Sequence, residues 1–264
     1  MTLSMRNAIL LIGVGLNLLI LFLFGAGLFV IAPAVEGPGD LVSWFAGSYG
    51  GDLIFLLFLQ LFSLLSVLIL YGSFRKTASP EIFFFLLFLL AISMDGLRAL
   101  PPALRFMRMP IYLDQLVIRF LYLARFFGVF SLFTAGLFAN GMQYQKLSIA
   151  FGIGLLAAFT LASLLPVAES ALLDGGLPVY LHISDVMAVL LSLRALSILN
   201  FTVAWIRNNN RDYLWLSFAS LLVLLGNEVM VRTENPVLRI GAGMALISGT
   251  VLFARRTHEI YLWI

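Results

Sequence analysis

Seven ionisable side chains stand inside stretches of sequence that are otherwise apolar: Asp95, Arg98, Arg119, Arg125, Arg194, Glu228 and Arg239. Asp185 lies near the start of another such stretch. A charge at the centre of a bilayer costs about 2.5–3.5 kcal/mol on insertion scales, and less near the ends of a span. Left facing lipid, the seven would together cost roughly 10–20 kcal/mol, so most must face a protein interior. Arginine stays protonated and cannot lose its charge on burial. Its planar fork of donors suits carboxylate or phosphate. The spacing allows pairing within a helix. Asp95 and Arg98 are three residues apart, Glu228 and Arg232 are four apart, and Tyr122 lies between Arg119 and Arg125 at three-residue intervals.

The charge balance within these stretches is uneven. Five arginines (98, 119, 125, 194 and 239) stand against Asp95 and Glu228, or against three acids if Asp185 is counted. At least two guanidinium groups therefore have no obvious carboxylate. Carbonyls, water, lipid phosphate or an anionic ligand must meet the surplus. The competing reading is architectural: arginines near span ends reach back to headgroups, and buried ion pairs lock helices together.

The elements that position these residues follow from hydropathy. The chain has 264 residues, 62% hydrophobic and 11% charged, with a mean hydropathy of +1.05. A soluble domain has roughly 45–50% apolar and about 25% charged residues. A span needs about 20 apolar residues. Eight stretches qualify, at about 8–32, 52–73, 82–101, 113–139, 147–166, 182–206, 213–231 and 237–254. Backbone groups in lipid must be satisfied internally, so these are helices. The expected fold is a single all-α polytopic transmembrane bundle over residues 1–264. Its first span, twice the length of a signal-peptide core, is expected to be retained.

Loop charges set the orientation. With the N-terminus inside, the cytoplasmic segments hold Arg6, Arg75, Lys76, Lys146, Arg207, Arg211, Arg255 and Arg256, and the outer loops hold only Arg105, Arg108 and Arg232. The positive-inside rule then puts both termini in the cytoplasm. Most of the span charges converge on the outer half of the membrane, with Arg194 nearer the middle. Ser79-Pro80-Glu81 reads as a capped helix start, and Pro101-Pro102 as the end of the third span. The phenylalanine run 83–85 reads as lipid-facing bulk. Asn17, Gln60, Asn200 and Asn227 read as interhelical hydrogen-bonding residues. Gly13, Gly15, Gly25, Gly27, Gly152, Gly154, Gly241, Gly243, Ser248 and Gly249 read as close-packing positions. Arg105 and Arg108 read as surface residues, His182 as interfacial and His258 as part of a cytoplasmic tail.

Several functions are set aside. There is no cysteine, so thiolate metal sites and cysteine nucleophiles are excluded. Two histidines leave too little for a zinc centre. Both lysines are loop residues, so no span offers a retinal-binding amine. No phosphate-binding glycine motif and no extended basic patch occur, which argues against nucleotide and nucleic-acid partners. No enzyme activity, cofactor or metal is expected. The expected function is a membrane sensor or receptor-like protein, with the bilayer as its environment, in a bacterial inner membrane. It binds a small anionic or lipid-like ligand through Arg98, Arg119, Arg125, Arg194 and Arg239, with Asp95 and Glu228 holding the arginines. Output passes to a cytoplasmic or membrane protein partner. Alternatives are an anion transporter using the same residues and a non-catalytic scaffold or assembly subunit.

Overall fold

The structure, a computed structural model, describes residues 2–31, 48–74, 79–165, 184–233 and 235–262. They are almost entirely helical, with no strand among them. In chain order the helices are α1 (Leu3–Ile31), α2 (Ser48–Phe74), α3 (Pro80–Ser93), a 3-10 segment (Met94–Ala99), α4 (Leu100–Phe106), α5 (Ile111–Ala139), α6 (Leu147–Leu164), α7 (Ser184–Asn208), α8 (Arg211–Arg232) and α9 (Pro236–Leu262). Eight helical stretches among the described residues are long and apolar enough to cross a membrane, the third being α3 to α4 as one unit. Their outward side chains are large and apolar, including Phe22, Phe29, Leu164 and Val237, each more than two-thirds exposed. A surface of that kind is suited to lipid rather than water.

The third span is the axis of the bundle. Helices α1, α2, α9, α8, α7 and α5 succeed one another around it, and α6 packs outside on α5. The reason lies in the sequence of α3, which is apolar on every side and so needs protein or lipid all round. Every residue from Pro80 to Leu90 is buried. The expectation that Phe83, Phe84 and Phe85 face lipid is therefore corrected. Phe84 stacks on Phe138 of α5 with ring centroids 5.6 Å apart, and Phe85 on Phe253 of α9 at 4.0 Å. Phe83 faces Phe151 of α6 at 6.3 Å. Three consecutive residues on a helix point about 100° apart, so the run reaches three neighbours.

Pro101-Pro102 does not end the third span, as expected from sequence. The α-helix stops at Ser93, tightens to 3-10 through Met94–Ala99, and restarts as α4 with proline in its first turn. There the missing N–H has no intrahelical partner to lose. Gly96 sits in the tightened segment, where a Cβ would lie 2.5 Å from Gln60 Oε1 and 3.3 Å from Ile20. The helix of the eighth span continues past residue 254, so that Arg255, Arg256 and His258 lie in its last turns.

Small residues and amides set the remaining contacts. A Cβ on Gly249 would lie 2.6 Å from Val223, and one on Gly226 would lie 2.8 Å from the Ala242 carbonyl. Those two glycines bring α8 and α9 together. Gly13, Gly27, Gly154 and Gly243 also lie against neighbours, while Gly15, Gly25, Gly152 and Gly241 face open space, against expectation. Gln60 donates to the Asn17 carbonyl at 3.0 Å and to its side chain, joining α1 and α2. Asn200 donates to the Phe133 carbonyl, joining α7 and α5.

Candidate functional site

The bundle has two polar ends. Arg239, Asp52, Arg98, Asp95, Arg125, Arg194 and Glu228 gather toward the end where α2, α5, α7 and α9 begin. Within this group lie two crevices on either side of the 3-10 segment. Each has room for about one water molecule.

The first crevice lies among α2, α8, α9 and the 3-10 segment. Arg98, Asp52 and Arg239 line it with Phe55 and Met230. Arg239 forms an ion pair with Asp52 and donates from Nε to the Thr233 carbonyl at 2.5 Å. Its guanidinium carbon lies 4.9 Å from the Phe55 ring centre, a cation–π contact. Arg98 and Arg239 are both buried, whereas the Asp52 side chain keeps 28% of its surface. Two guanidinium groups thus line a crevice whose lining holds one carboxylate.

The second crevice is lined by Asp95, Arg125, Arg194 and Asn227, with Gly128 and Phe88 as walls. Arg125 Nε lies 3.6 Å from Asp95 Oδ1, joining α5 to the third span. Arg194 Nη2 lies 2.6 Å from Glu228 Oε2, joining α7 to α8. Arg232 meets the other oxygen of Glu228 from the next turn of α8. The buried Asn227 Oδ1 has no hydrogen-bond partner among the described residues. Gly128 is needed where it stands, since a Cβ would come 2.8 Å from that of Ala91.

This geometry keeps the expected Glu228–Arg232 pair and adds partners from other helices. Asp95 reaches Arg125 on α5, and Arg98 lines the first crevice. Arg194 does not stand apart from the other charges, because it pairs with Glu228. Asp52, at the start of the second span, supplies a carboxylate to Arg239 that hydropathy alone did not single out. Arg105 pairs with the buried Asp114 at 2.9 Å across the turn between α4 and α5, so it is more than a loop residue. Arg119 is exposed on the outside of α5, away from both crevices. His182 lies outside the described residues. Among the described residues Arg98, Arg125, Arg194, Arg232 and Arg239 stand with Asp52, Asp95 and Glu228, and the side chain of Asp185 lies outside them.

A second polar group occupies the opposite end. Ser79 caps α3 by accepting from the Ile82 N–H at 3.2 Å. Glu81 is buried and accepts from the Ser79 hydroxyl at 3.0 Å and from the phenol of Tyr261, near the end of α9. Arg6 is not a loop residue but a buried part of α1. It donates to the Ser79 carbonyl at 3.5 Å and to the Tyr144 hydroxyl at 3.4 Å, and lies over the Phe83 ring. Nothing in the spacing of residues 6, 81 and 261 announces this meeting.

Among the described residues no set of three histidine, aspartate or glutamate side chains comes together as a metal centre needs. Searches against family models, curated proteins and solved structures find no match to this chain.

Proposed function

We propose that this chain is a membrane sensor, with eight spans and both termini in the cytoplasm of a bacterial inner membrane. It recognises a small anionic or lipid-like ligand at the Arg98–Arg239 crevice. The observation that supports the reading is the pair of buried guanidinium groups lining one crevice with a single, partly exposed carboxylate. An incoming carboxylate or phosphate takes the place of Asp52 on Arg239, and Asp52 turns to the bundle surface. That exchange loosens α2 from α9, and a ligand that favours the loosened state shifts the population toward it. A cytoplasmic or membrane partner reads the shift.

A scaffold reading has its own support. The ion pairs Arg239–Asp52, Arg125–Asp95 and Arg194–Glu228 each join two separate spans, as purely architectural pairs would. Native mass spectrometry of gently solubilised protein separates the two. A discrete anionic adduct on the wild type, absent from folded Arg98→Gln, Arg239→Gln protein, supports the sensor. A bare mass, or one with only another polypeptide attached, favours the scaffold. Flux of the identified anion in proteoliposomes would make the chain a transporter instead.

A further inference from the structure

The polar crevices leave one intramembrane arginine unused. Arg119 stands nine residues into α5, exposed on its outer face. Its neighbours on that face are Tyr112, Leu116 and Phe120, exposed by 63%, 50% and 52%. Residues spaced by three, four and seven form one continuous stripe along a helix. Asp114 is the single acid in α5, and it is buried and held by Arg105. Among the described residues Arg119 has no ion-pair partner. A permanent cation on an apolar outer face must be met by something the bilayer supplies.

We infer that the Tyr112–Leu116–Arg119 stripe of α5 binds the headgroup of an anionic phospholipid. Side chains on a helix lean toward its N-terminus, so the Arg119 stem runs back over Leu116 toward Tyr112. Tyr112 lies about 10 Å nearer the helix start and is a residue type enriched at the headgroup level. The guanidinium thus reaches lipid phosphate from within the apolar layer and can bind it with two parallel N–H donors. Leu116 and Phe120 supply the apolar surface for an acyl chain. Arg108, exposed in the turn that leads into α5, adds a second positive charge at the same end. No carboxylate of α5 is exposed there to receive the ammonium of a zwitterionic lipid, so a net anionic headgroup is the one that fits.

The test is native mass spectrometry of the full chain from mixed micelles holding equal phosphatidylglycerol and phosphatidylcholine. An arginine near a membrane surface supplies enough attraction for about a fivefold preference. Wild type is expected to retain phosphatidylglycerol with that preference, Arg119→Gln to lose it, and Arg119→Lys to keep most of it. Millimolar inorganic phosphate should leave the adduct in place. The change is on the outer surface, so Arg119→Gln should match the wild-type unfolding midpoint. Equal retention of both lipids by the wild type, or an unchanged preference in Arg119→Gln, overturns the inference. Displacement by inorganic phosphate also overturns it, in favour of a free-anion site. The crevice variant Arg98→Gln, Arg239→Gln is not used here, so failure of this inference leaves the sensor reading to its own test.

Discussion

Replacing Glu228 with glutamine removes the carboxylate that Arg194 and Arg232 share. The two arginines lose unequal amounts. The Arg232 side chain keeps 38% of its surface and can turn to headgroups, so its share is small. The Arg194 side chain keeps only 10% and has nowhere comparable to go. Breaking a buried ion pair by removing one partner costs about 3–5 kcal/mol. The glutamine oxygen still accepts one hydrogen bond, which puts the loss near the lower figure. At about 2–4 °C per kcal/mol for a chain of this size, the unfolding midpoint should fall by about 6–12 °C. Tryptophan fluorescence during heating in detergent reads it, with Trp215 reporting from α8 itself. Arg194→Met alone should cost less, since Arg232 still meets the other oxygen of Glu228. The double variant Arg194→Met, Glu228→Gln leaves no buried charge unmatched. It should recover about 1–3 kcal/mol of the sum. If the two single losses add to within about 0.5 kcal/mol, the pair is not coupled and the reasoning fails.

Five further changes test the packing. Gly226→Ala should destabilise by about 1–3 kcal/mol, because its Cβ meets the Ala242 carbonyl at 2.8 Å. Gly152→Ala, with nothing within 4 Å, should leave the unfolding midpoint unchanged or raise it. Phe85→Ala should cost about 3–5 kcal/mol through its lost stack on Phe253, whereas Phe120→Ala, exposed on α5, should stay within about 0.5 kcal/mol by the same measurement. Tyr261→Phe leaves the buried Glu81 with one donor fewer, a loss of about 1–3 kcal/mol. Amide exchange should then quicken in the last turns of α9 more than in α8. Equal exchange in those last turns in the wild type and in Tyr261→Phe would mean that the phenol does not fasten the helix end.

Hydropathy was enough to find the helices, because a bilayer-length apolar run admits no other backbone. The start of α3 was equally legible, since Ser79, Pro80 and Glu81 act locally on the groups next to them. Amides were legible as interhelical glue for the same kind of reason: Asn17 and Gln60 have few other ways to be satisfied in an apolar run. The Glu228–Arg232 pair was legible, four residues apart on one helix, but the partners on other helices were not. Asp95 and Arg98 look paired in sequence, yet Asp95 meets a residue thirty positions away on α5. The difference comes from tertiary packing, which brings Arg125 of α5 against the third span; the 3-10 turn itself aligns residues three apart.

Sequence by itself determined that this chain is made of long apolar helices and that arginines outnumber acids within its apolar stretches. Composition and period carry both facts, and neither depends on which helix touches which. Only the tertiary structure decided that the third span is central, that Phe83 to Phe85 are core and that Asp52 belongs with Arg239. It also decided that Arg119 faces outward while Arg125, six residues later, faces in. Lipid and protein interior are equally apolar, so an outward and an inward leucine or phenylalanine read alike in the sequence. The choice between them is made by shape, through the close approach that glycines permit and the few polar pairs that must meet.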